Sequence, residues 1–591
     1  MAILEYMFKS SLMIITTCCC LSFAAASNPP FFTTDIVLNE KGEIFLSQKG
    51  LRQIDLFSAD GLKRIKSYPV DETPTGLLYD NNKVYITTFE KTGKLQVLNL
   101  ESGRIEAAIP VGSGACHPMF GTDTQYIYVL NQFSGTVSEI NLESKKVTRT
   151  ANVLREPKSA VFSKDGNYLF VANFLPAQRA DEDYVAACVS VVDMKTFNKI
   201  KDIQLANGSN ALRDICISPD GQYVYVSHNL GRFTVPTSQL QQGWMNTSAF
   251  SIIDAGKQIF LGSILVDEPE KGAAGIWSIE CTDEQLFITH SGTHEVSIID
   301  HEAMRKKFEV YADKKTLEYD LRFLYGLRER VPLQGNGPRS MVLKGSKLLI
   351  PTYFADVLNI VDTKTNTVSA VEMNPGRTET REHKGEKYFN DAKNCFQEWQ
   401  SCNGCHPGDG RMDAMNWDLM NDGIGNPKNC KSLLYSHVTP ACMISGIRAS
   451  AEIAVHAGFK HIQFYNIDEE RSSCVDDYLK ALRPVPSPLL VNGELSEKAK
   501  EGRVVFEKHN CGECHSGPYY TDMKMHRIGD DIEFEEGWDT PALIEVWRTA
   551  PYLFDGRAAR MEDVFKVHKH GINKKITQKE IEALAEYVNS L

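Results

Sequence analysis

Short runs of β-branched and aromatic residues, bounded by polar or glycine-containing turns, recur from about residue 40 to about residue 370. Seven runs share this composition: Ile44–Leu46, Val84–Ile86, Ile127–Val129, Leu169–Val171, Val224–Val226, Leu286–Ile288 and Leu348–Ile350. Each is followed by a second run that ends in a hydrophobic residue and Asp or Asn: Ile54–Asp55, Leu98–Asn99, Ile140–Asn141, Val192–Asp193, Ile253–Asp254, Ile299–Asp300 and Val361–Asp362. Runs of this kind between turns are typical of β-strands.

The paired runs recur with a period of about 40 residues, which is the period of four-stranded propeller blades. Seven repeats, each with two strong strands, predict an all-β seven-bladed propeller over residues 31–376. The last three spacings lengthen to 55–62 residues, so we expect inserted loops there, notably at Arg232–Thr247 and Tyr311–Pro338.

Four histidines of this region are candidates for a metal site in the central channel of the propeller: His117, His228, His290 and His294. The alternative is that they are loop or core histidines with ordinary hydrogen bonds. The spacing of these residues leaves both interpretations open.

The length and charge of the chain indicate how many domains it has and which kinds of partner are excluded. A chain of 591 residues is too long for a single core, so we expect two or three domains. With 64 basic against 76 acidic residues the net charge is −12, which argues against nucleic acid as a partner. The apolar runs in the body of the chain are shorter than the roughly 20 residues that span a bilayer.

The N-terminus has the pattern of a signal peptide. Lys9 precedes an apolar stretch, Ser11–Phe23, and Ala24–Ala26 then offer the small residues that a signal peptidase reads. We predict that residues 1–26 are removed and that the mature chain is periplasmic or otherwise extracytoplasmic, with no transmembrane segment. An uncleaved anchor helix and a lipid-modified cysteine among Cys18–Cys20 are the alternatives.

Two C-x-x-C-H motifs lie in the last third of the chain: Cys402, Cys405 and His406 form the first, and Cys511, Cys514 and His515 the second. Two thiols at this spacing reach the two vinyl groups of one haem, and the adjacent histidine binds its iron as the proximal ligand. A disulfide redox pair or a zinc site is the alternative, but the βαβ context of the former and the four-ligand set of the latter are missing. We predict two covalently bound haem c groups. Eight further cysteines remain in the mature chain outside the motifs, and the sequence alone does not show which of them would form disulfides.

The residues around the motifs predict helices. Lys384–Gln400 and Ser496–Lys508 lead into them, and each carries a glycine followed four residues later by an aromatic residue: Gly385 with Phe389, and Gly502 with Phe506. We expect each glycine to permit a close helix crossing and each aromatic ring to cover haem. Thr577–Leu591, with apolar residues on one face, is expected to be the C-terminal helix of such a crossing.

A proline-rich segment at residues 484–491 reads as a stiff linker. It separates a first haem domain, residues 377–483, from a second, residues 492–591. The predicted fold class is therefore multidomain, with an N-terminal all-β seven-bladed propeller and C-terminal all-α tandem cytochrome c-like haem domains.

Two resemblances extend this reading. Ser218–Val226 and Phe162–Tyr168 resemble YVTN-type seven-bladed β-propellers. The last third is similar to the di-haem cytochrome c peroxidases and their MauG-like relatives in Ser401–Arg411, Trp417–Asp418, Cys511–Asp522, Met525–Gly529, Thr540–Leu543 and Thr549–Arg557. Trp417–Lys428 is similar to the propeller-fused branch of that family.

The family resemblance implies an oxidoreductase with two haems, one that relays electrons and one that reacts with hydrogen peroxide. It implies a peroxidase, or a MauG-like oxidase of a protein substrate, with a small redox protein or a quinol-linked donor as the source of electrons. A structural calcium ion is also considered, without assigned residues. The alternative function is a non-catalytic electron-transfer cytochrome whose propeller docks a partner.

The chain departs from the family pattern at the second haem. The family usually has a methionine sixth ligand shortly before the proline that matches Pro541, but Glu536–Asp539 contains none. Met525 or His526 could take this place, or Met525 packs and His526 binds a propionate. We also expect Arg557, together with Arg548, to hold the propionates of this haem, with surface ion pairs as the alternative.

The distal side of the first haem has several candidates: His437, His456, His461, Met415, Met420 and Met443. The family often has a tryptophan before an Asp-Gly-Arg sequence where this chain has Met443–Arg448, and Trp417 is the nearest alternative for an electron relay. Cleavage of peroxide needs an acid–base group and a cation over the iron. Glu452 and Arg448 are our catalytic candidates, with a surface helix pair as the alternative.

Overall fold

The structure is a computed structural model that describes residues 28–90, 92–234, 245–418, 427–530 and 534–591. The predicted signal peptide, with its three cysteines, and the ligand candidate Met420 lie outside these residues. No helix in the described ranges is long and apolar enough to cross a membrane.

Residues 33–372 form a seven-bladed β-propeller, as the sequence predicts. Each blade is a four-stranded antiparallel sheet of strands consecutive in the chain. The first four blades contain β1–β16: Thr33–Leu38, Ile44–Gln48, Gln53–Phe57, Arg64–Pro69; Pro74–Asp80, Lys83–Phe89, Gly93–Asn99, Arg104–Pro110; Ala115–Phe120, Tyr126–Asn131, Thr136–Asn141, Lys146–Asn152; Pro157–Phe162, Tyr168–Asn173, Cys188–Asp193, Asn198–Gln204. The last three contain β17–β28: Ser209–Ile217, Tyr223–Gly231, Asn246–Asp254, Ile259–Leu265; Ile276–Cys281, Gln285–His290, Glu295–Asp300, Arg328–Pro332; Val342–Lys344, Lys347–Pro351, Val357–Asp362, Val368–Glu372.

The paired runs found in the sequence are the second and third strands of every blade, which are the most buried ones. The other two strands carry a weaker signal. β4 exposes all but one of its six residues, and β25 has only three residues. Exposed strands contain more polar residues, so a hydrophobic pattern does not reveal them.

Apolar clusters hold neighbouring blades together, and the same kind of cluster closes the ring. Ile44 and Leu46 of the first blade pack with Leu349 and Leu358 of the seventh. Beside this cluster, the backbone amide of Phe31 donates to the Asp356 carboxylate at 3.1 Å. The two ends of the propeller are therefore joined by side-chain packing rather than by a shared blade.

The sixth blade carries an insertion between its third and fourth strands. Helix α1, His301–Val310, follows β23 directly because the Asp300 carboxylate caps it by accepting from the amide of Ala303. A 3₁₀ turn at Lys314–Tyr319 comes next. The predicted insertion at residues 311–338 thus contains this turn and also the strand β24.

The C-terminal part corrects the predicted fold class. It contains α2–α7, which are Arg381–Asn390, Ala451–His461, Glu469–Ala481, Glu497–Lys508, Met561–Lys566 and Gln578–Val588. Short 3₁₀ turns lie at Ala392–Asn394, Phe396–Glu398, Cys402–Gly404, Cys511–Glu513 and Val546–Arg548, and a four-residue turn at Pro407–Gly410. Two small β-ladders pair Asn416–Trp417 with Lys428–Asn429 and Met525–His526 with Trp538–Asp539.

Helices account for only 18% of the structure, so the expected all-α tandem haem domains are wrong as a fold class. The physical reason is that the C-terminal part consists of a few short helices joined by long irregular segments. These segments contain many residues with positive φ, such as Gln397, Tyr435 and Met523, which do not continue a helix.

Candidate functional site

Two close helix crossings support the C-terminal part. An ideal Cβ on Gly385 of α2 would lie 1.9 Å from the carbonyl oxygen of Cys474 on α4. One on Gly502 of α5 would lie 1.9 Å from the carbonyl oxygen of Ala583 on α7. Only glycine allows the backbones to approach this closely, as the sequence predicts.

The aromatic residue that follows each glycine packs on a tyrosine of the partner helix. The ring centroids of Phe389 and Tyr478 are 5.4 Å apart, and those of Phe506 and Tyr587 are 5.3 Å apart. The C-terminal helix α7 was expected as a crossing partner, whereas its counterpart α4 was not identified from the sequence.

The two halves also repeat the loop that precedes α3 and α6. Met443 and Leu553 have φ angles of 71° and 72°, and Gly446 and Gly556 have φ angles of 64° and 65°. These pairs are 110 residues apart, and the two motif histidines are 109 residues apart. The C-terminal part is therefore built twice on one local plan.

Each motif histidine is oriented by the same contact. Nδ1 of His406 lies 3.1 Å from the carbonyl oxygen of Arg411, and Nδ1 of His515 lies 3.1 Å from that of Tyr520. This contact places the proton on Nδ1 and leaves Nε2 as a ligand atom. Burial lowers the pKa of both histidines, so both are neutral at neutral pH, which is the form that binds a metal.

A single cavity of about 1120 Å³ is lined by all six motif residues: Cys402, Cys405, His406, Cys511, Cys514 and His515. Its volume exceeds the roughly 300–1,000 Å³ of a pocket for one small ligand. Most of its remaining wall is apolar, including Phe389, Leu479, Phe506, Val546 and Phe565. The four motif thiols are free. The donor set, the apolar wall and the size fit two haem groups.

The propeller contributes to the first half of this cavity. Nδ2 of Asn246, on β19, lies 3.1 Å from the Cys405 sulfur, and Met245 lines the cavity beside it. From the C-terminal part, Nε2 of Gln463 lies 3.1 Å from the Cys402 sulfur. These residues belong to no motif and are far from the cysteines along the chain, so they could not be predicted from the sequence.

The two catalytic candidates occupy different places. Arg448 lines the cavity. Glu452 is exposed on α3, does not line the cavity, and pairs with Lys480 at 3.0 Å. Its own backbone amide and the Lys480 ammonium lower the pKa of Glu452 to about 2, so it is ionised at neutral pH. The geometry corrects the prediction for Glu452: its side chain forms a surface ion pair and does not face the cavity.

Of the distal ligand candidates in the first half, some line the cavity and others do not. His461 and Met443 line the cavity. His437 pairs with Asp476 at 2.9 Å, and Nδ1 of His456 lies 3.2 Å from the Ser472 hydroxyl. His437 and His456 therefore bond to protein partners and do not line the cavity.

Two further candidates of the first half are buried. Met415 accepts a long contact, 3.6 Å, from the side-chain amide of Asn210 on the propeller. Trp417 lines the cavity, and its indole donates to the Asp413 carboxylate at 2.8 Å. Met415 therefore packs against the propeller, and Trp417 is the candidate that reaches the cavity.

The two ligand candidates of the second half are engaged elsewhere. The Met525 sulfur lies 3.0 Å from an ideal Cβ on Gly446, so Met525 packs against the loop of the first half. His526 lines the cavity, but Nε2 pairs with Asp522 at 2.8 Å. Donor atoms of Cys514, Asp522 and His526 lie within 4.8 Å of one another. This set contains a sulfur, which calcium does not favour, so the calcium prediction has no site here.

The arginines expected at the propionates form ion pairs with protein carboxylates. Arg557 pairs with Asp555 at 2.8 Å and with Asp530 at 2.7 Å. Arg548 donates to Glu156 of the propeller from two nitrogens, at 3.0 and 3.2 Å. Neither arginine lines the cavity. The geometry therefore supports the alternative of ion pairing, although the Arg548 pair is buried rather than on the surface.

No family model matches the chain. Hydrazine synthase subunit gamma of Kuenenia stuttgartiensis is 24% identical over 270 residues, which cover 35% of this chain and 76% of that protein. Antigen Lp49 of Leptospira interrogans is 25% identical over 166 residues, which cover 26% of this chain and 36% of that protein. A solved chain of Kuenenia stuttgartiensis hydrazine synthase aligns with a TM-score of 0.51 and 18% identity, covering 60% of this chain and 98% of its own length. This structural likeness shows the fold alone and supports the propeller.

The propeller histidines each have separate partners. His117 bonds the Ala160 carbonyl, and His294 pairs with Asp391 at 3.1 Å. His228 and His290 each bond one backbone carbonyl and one serine hydroxyl. These contacts favour the interpretation as ordinary core histidines over a metal site.

The described cysteines outside the motifs are also free thiols. Cys216 and Cys281, on adjacent blades, have sulfurs 3.7 Å apart. The Cys430 sulfur lies 3.5 Å from Nδ1 of His406, which places a third thiol beside the first motif. Neither pair of neighbours is marked by a sequence motif.

Proposed function

We propose that this chain is an exported di-haem c-type cytochrome that reduces hydrogen peroxide, or uses peroxide to oxidise a protein partner in the MauG-like manner. The observation that carries the proposal is the one cavity lined by both C-x-x-C-H motifs, with each histidine oriented by a carbonyl five residues later. The motif resemblance to di-haem peroxidases supports the same reading.

The residues have separate tasks in this proposal. Cys402 and Cys405 would anchor one haem and Cys511 and Cys514 the other, through thioether bonds to the vinyl groups. His406 and His515 would bind the irons from the proximal side. When bound, each haem supplies an iron that takes up or releases one electron.

Reduction of hydrogen peroxide to two waters consumes two electrons and two protons. Two haems held in this one cavity would supply both electrons without oxidation of the protein itself. Arg448 and His461 line the cavity and belong to the first half. A guanidinium stabilises negative charge on the peroxide oxygens, and an imidazole transfers a proton, so we assign these tasks to Arg448 and His461 in place of Glu452.

The electrons would come from a small redox protein or a quinol-linked donor outside the cytoplasm. A non-catalytic electron carrier, with the propeller as a docking module, is the second candidate. The position of Glu452 outside the cavity is the observation that favours it, because the predicted acid is then missing.

Stopped-flow spectroscopy of the half-reduced holoprotein tests the proposal. On mixing with hydrogen peroxide, we expect the reduced second haem to be oxidised within seconds. His406→Ala should abolish this response while the second haem can still be reduced. Two low-spin haems that do not respond to peroxide in the wild-type protein would leave only the electron-carrier function.

A further inference from the structure

A histidine that no motif contains faces the second proximal histidine. The ring centroids of His570 and His515 are 6.3 Å apart, and the ring planes are inclined at 45°. His570 lines the cavity, and its Nδ1 is buried without a hydrogen-bond partner. An imidazole in this state is available to a ligand that enters the cavity.

The separation of the two rings suits one metal ion between them. An imidazole nitrogen lies about 2 Å from a bound metal ion. The centre of an imidazole ring is a little over 1 Å from its nitrogens, so two rings that bind one ion from opposite sides have centroids roughly 6 Å apart. The observed 6.3 Å matches this arrangement for His515 and His570.

The backbone explains how His570 reaches the cavity. α6 ends at Lys566, and the amide of His570 then donates to the carbonyl of Val564 at 3.1 Å, which turns the chain back. In the first half, α3 continues to His461. The position 110 residues before His570 is Lys460, an exposed residue within that helix. Because α6 ends before His570, the second half has a histidine at the cavity where the first half has an exposed lysine within a helix.

Three other candidates in the second half are less suitable. Met525 packs against Gly446, His526 pairs with Asp522, and His568 pairs with Asp530 at 2.9 Å. His509 lines the cavity, and both of its ring nitrogens are buried without a partner. It lies two residues before the second motif and is the competing candidate, so its variant is compared with those of His570.

We infer that His570 is the sixth ligand of the haem bound by Cys511, Cys514 and His515. This inference rests on the proposed function, because it requires that haem to be present. A haem held by both His515 and His570 would offer peroxide no open position and would serve electron transfer alone. Peroxide would then react at the first haem, whose half has the exposed Lys460 at the position that corresponds to His570.

Spectra of the full-length holoprotein test the inference. We compare wild type, His570→Ala, His570→Met and His509→Ala by electron paramagnetic resonance and visible absorption of the oxidised proteins. His570→Ala should convert one low-spin haem to high spin, and added imidazole should restore the low-spin signal. His570→Met should stay low spin with a higher reduction potential, because methionine in place of histidine raises it. His509→Ala should match the wild type.

The number of bound haems, measured as the pyridine haemochrome in each sample, separates the two claims. Samples without haem would overturn the proposed function. Two bound haems with an unchanged low-spin spectrum in His570→Ala would overturn the inference alone. If His570→Ala does not fold, an unchanged reduction potential in His570→Met overturns it instead. A low-spin signal that is lost in His509→Ala would assign the ligand to His509 and would also overturn it.

Discussion

Glu156 of the propeller and Arg548 of the C-terminal part form a buried, two-nitrogen ion pair, with N–O distances of 3.0 and 3.2 Å. The side chains are only 4% and 7% exposed. Burial opposes the charge on Arg548, but the Glu156 and Glu545 carboxylates outweigh it and raise the pKa of this arginine. The pair joins the propeller to the C-terminal part of the molecule.

Removing one member of this pair should destabilise the protein strongly. We expect Arg548→Met or Glu156→Gln to cost about 3–5 kcal/mol, because the remaining group is left buried without its partner. The double variant should cost less than the sum of the single variants. Denaturant unfolding of the four proteins measures this. Arg560→Met, at an arginine whose side chain is 74% exposed, is the control, and an equal loss there would contradict the account.

The two crossing glycines should not tolerate a methyl group. Gly385→Ala and Gly502→Ala each place a Cβ 1.9 Å from a carbonyl oxygen, so the helices must separate. We expect a loss of at least about 1–3 kcal/mol, the usual effect of overpacking, and a lower melting temperature. Gly458→Ala is the matched control, since a Cβ at this helical glycine meets no atom within 4 Å. A gain at Gly385 or Gly502 comparable with that control would contradict the crossing.

The sequence predicts the features that lie within short stretches of the chain and not those that depend on its folding. Runs such as Ile44–Leu46 reveal the inner strands because their whole side-chain set is buried. The motifs reveal the thiols and histidines because all three reactive side chains of each motif lie within five adjacent residues. Asn246 and His570 were missed because only the folded chain brings Asn246 to the Cys405 sulfur and His570 to the cavity. Glu452 was misplaced because a helical spacing does not say which face of α3 is exposed.

Asp267 should make the propeller less stable as the pH rises. Burial raises the pKa of this carboxyl to about 6, although it accepts hydrogen bonds from the amides of Ser248 and Ala273. Because the folded state binds the proton more tightly, the Asp267 contribution is fully present below the unfolded pKa of about 4 and is lost as the pH rises through about 6. Relative to Asp267→Asn, the wild type should lose roughly 2 kcal/mol between pH 4 and 7.

Unfolding of the two proteins at pH 4, 5, 6 and 7 measures this difference, whatever constant offset the substitution introduces. Most of the change should fall between pH 4 and 6, and little should follow between pH 6 and 7. A pH-independent difference would show that Asp267 has an ordinary pKa in the folded state.

The peroxide response should depend on Arg448 and not on Glu452. Arg448 lines the cavity, whereas Glu452 is paired with Lys480 on the surface. We expect Arg448→Met to slow the peroxide reaction at least about tenfold, as loss of one electrostatic stabiliser usually does. Glu452→Gln should change it less than twofold. Stopped-flow rates at equal haem content measure both, and the reverse order would return the catalytic role to Glu452.

The intact mass of the protein, produced with the haem-attachment machinery, tests the central claim most directly. The mass of the wild type should exceed that of its polypeptide by two haem groups. The double variants Cys402→Ala/Cys405→Ala and Cys511→Ala/Cys514→Ala should each retain one covalent haem, because the two motifs are separate attachment sites. A wild-type mass equal to that of the bare polypeptide would contradict the account.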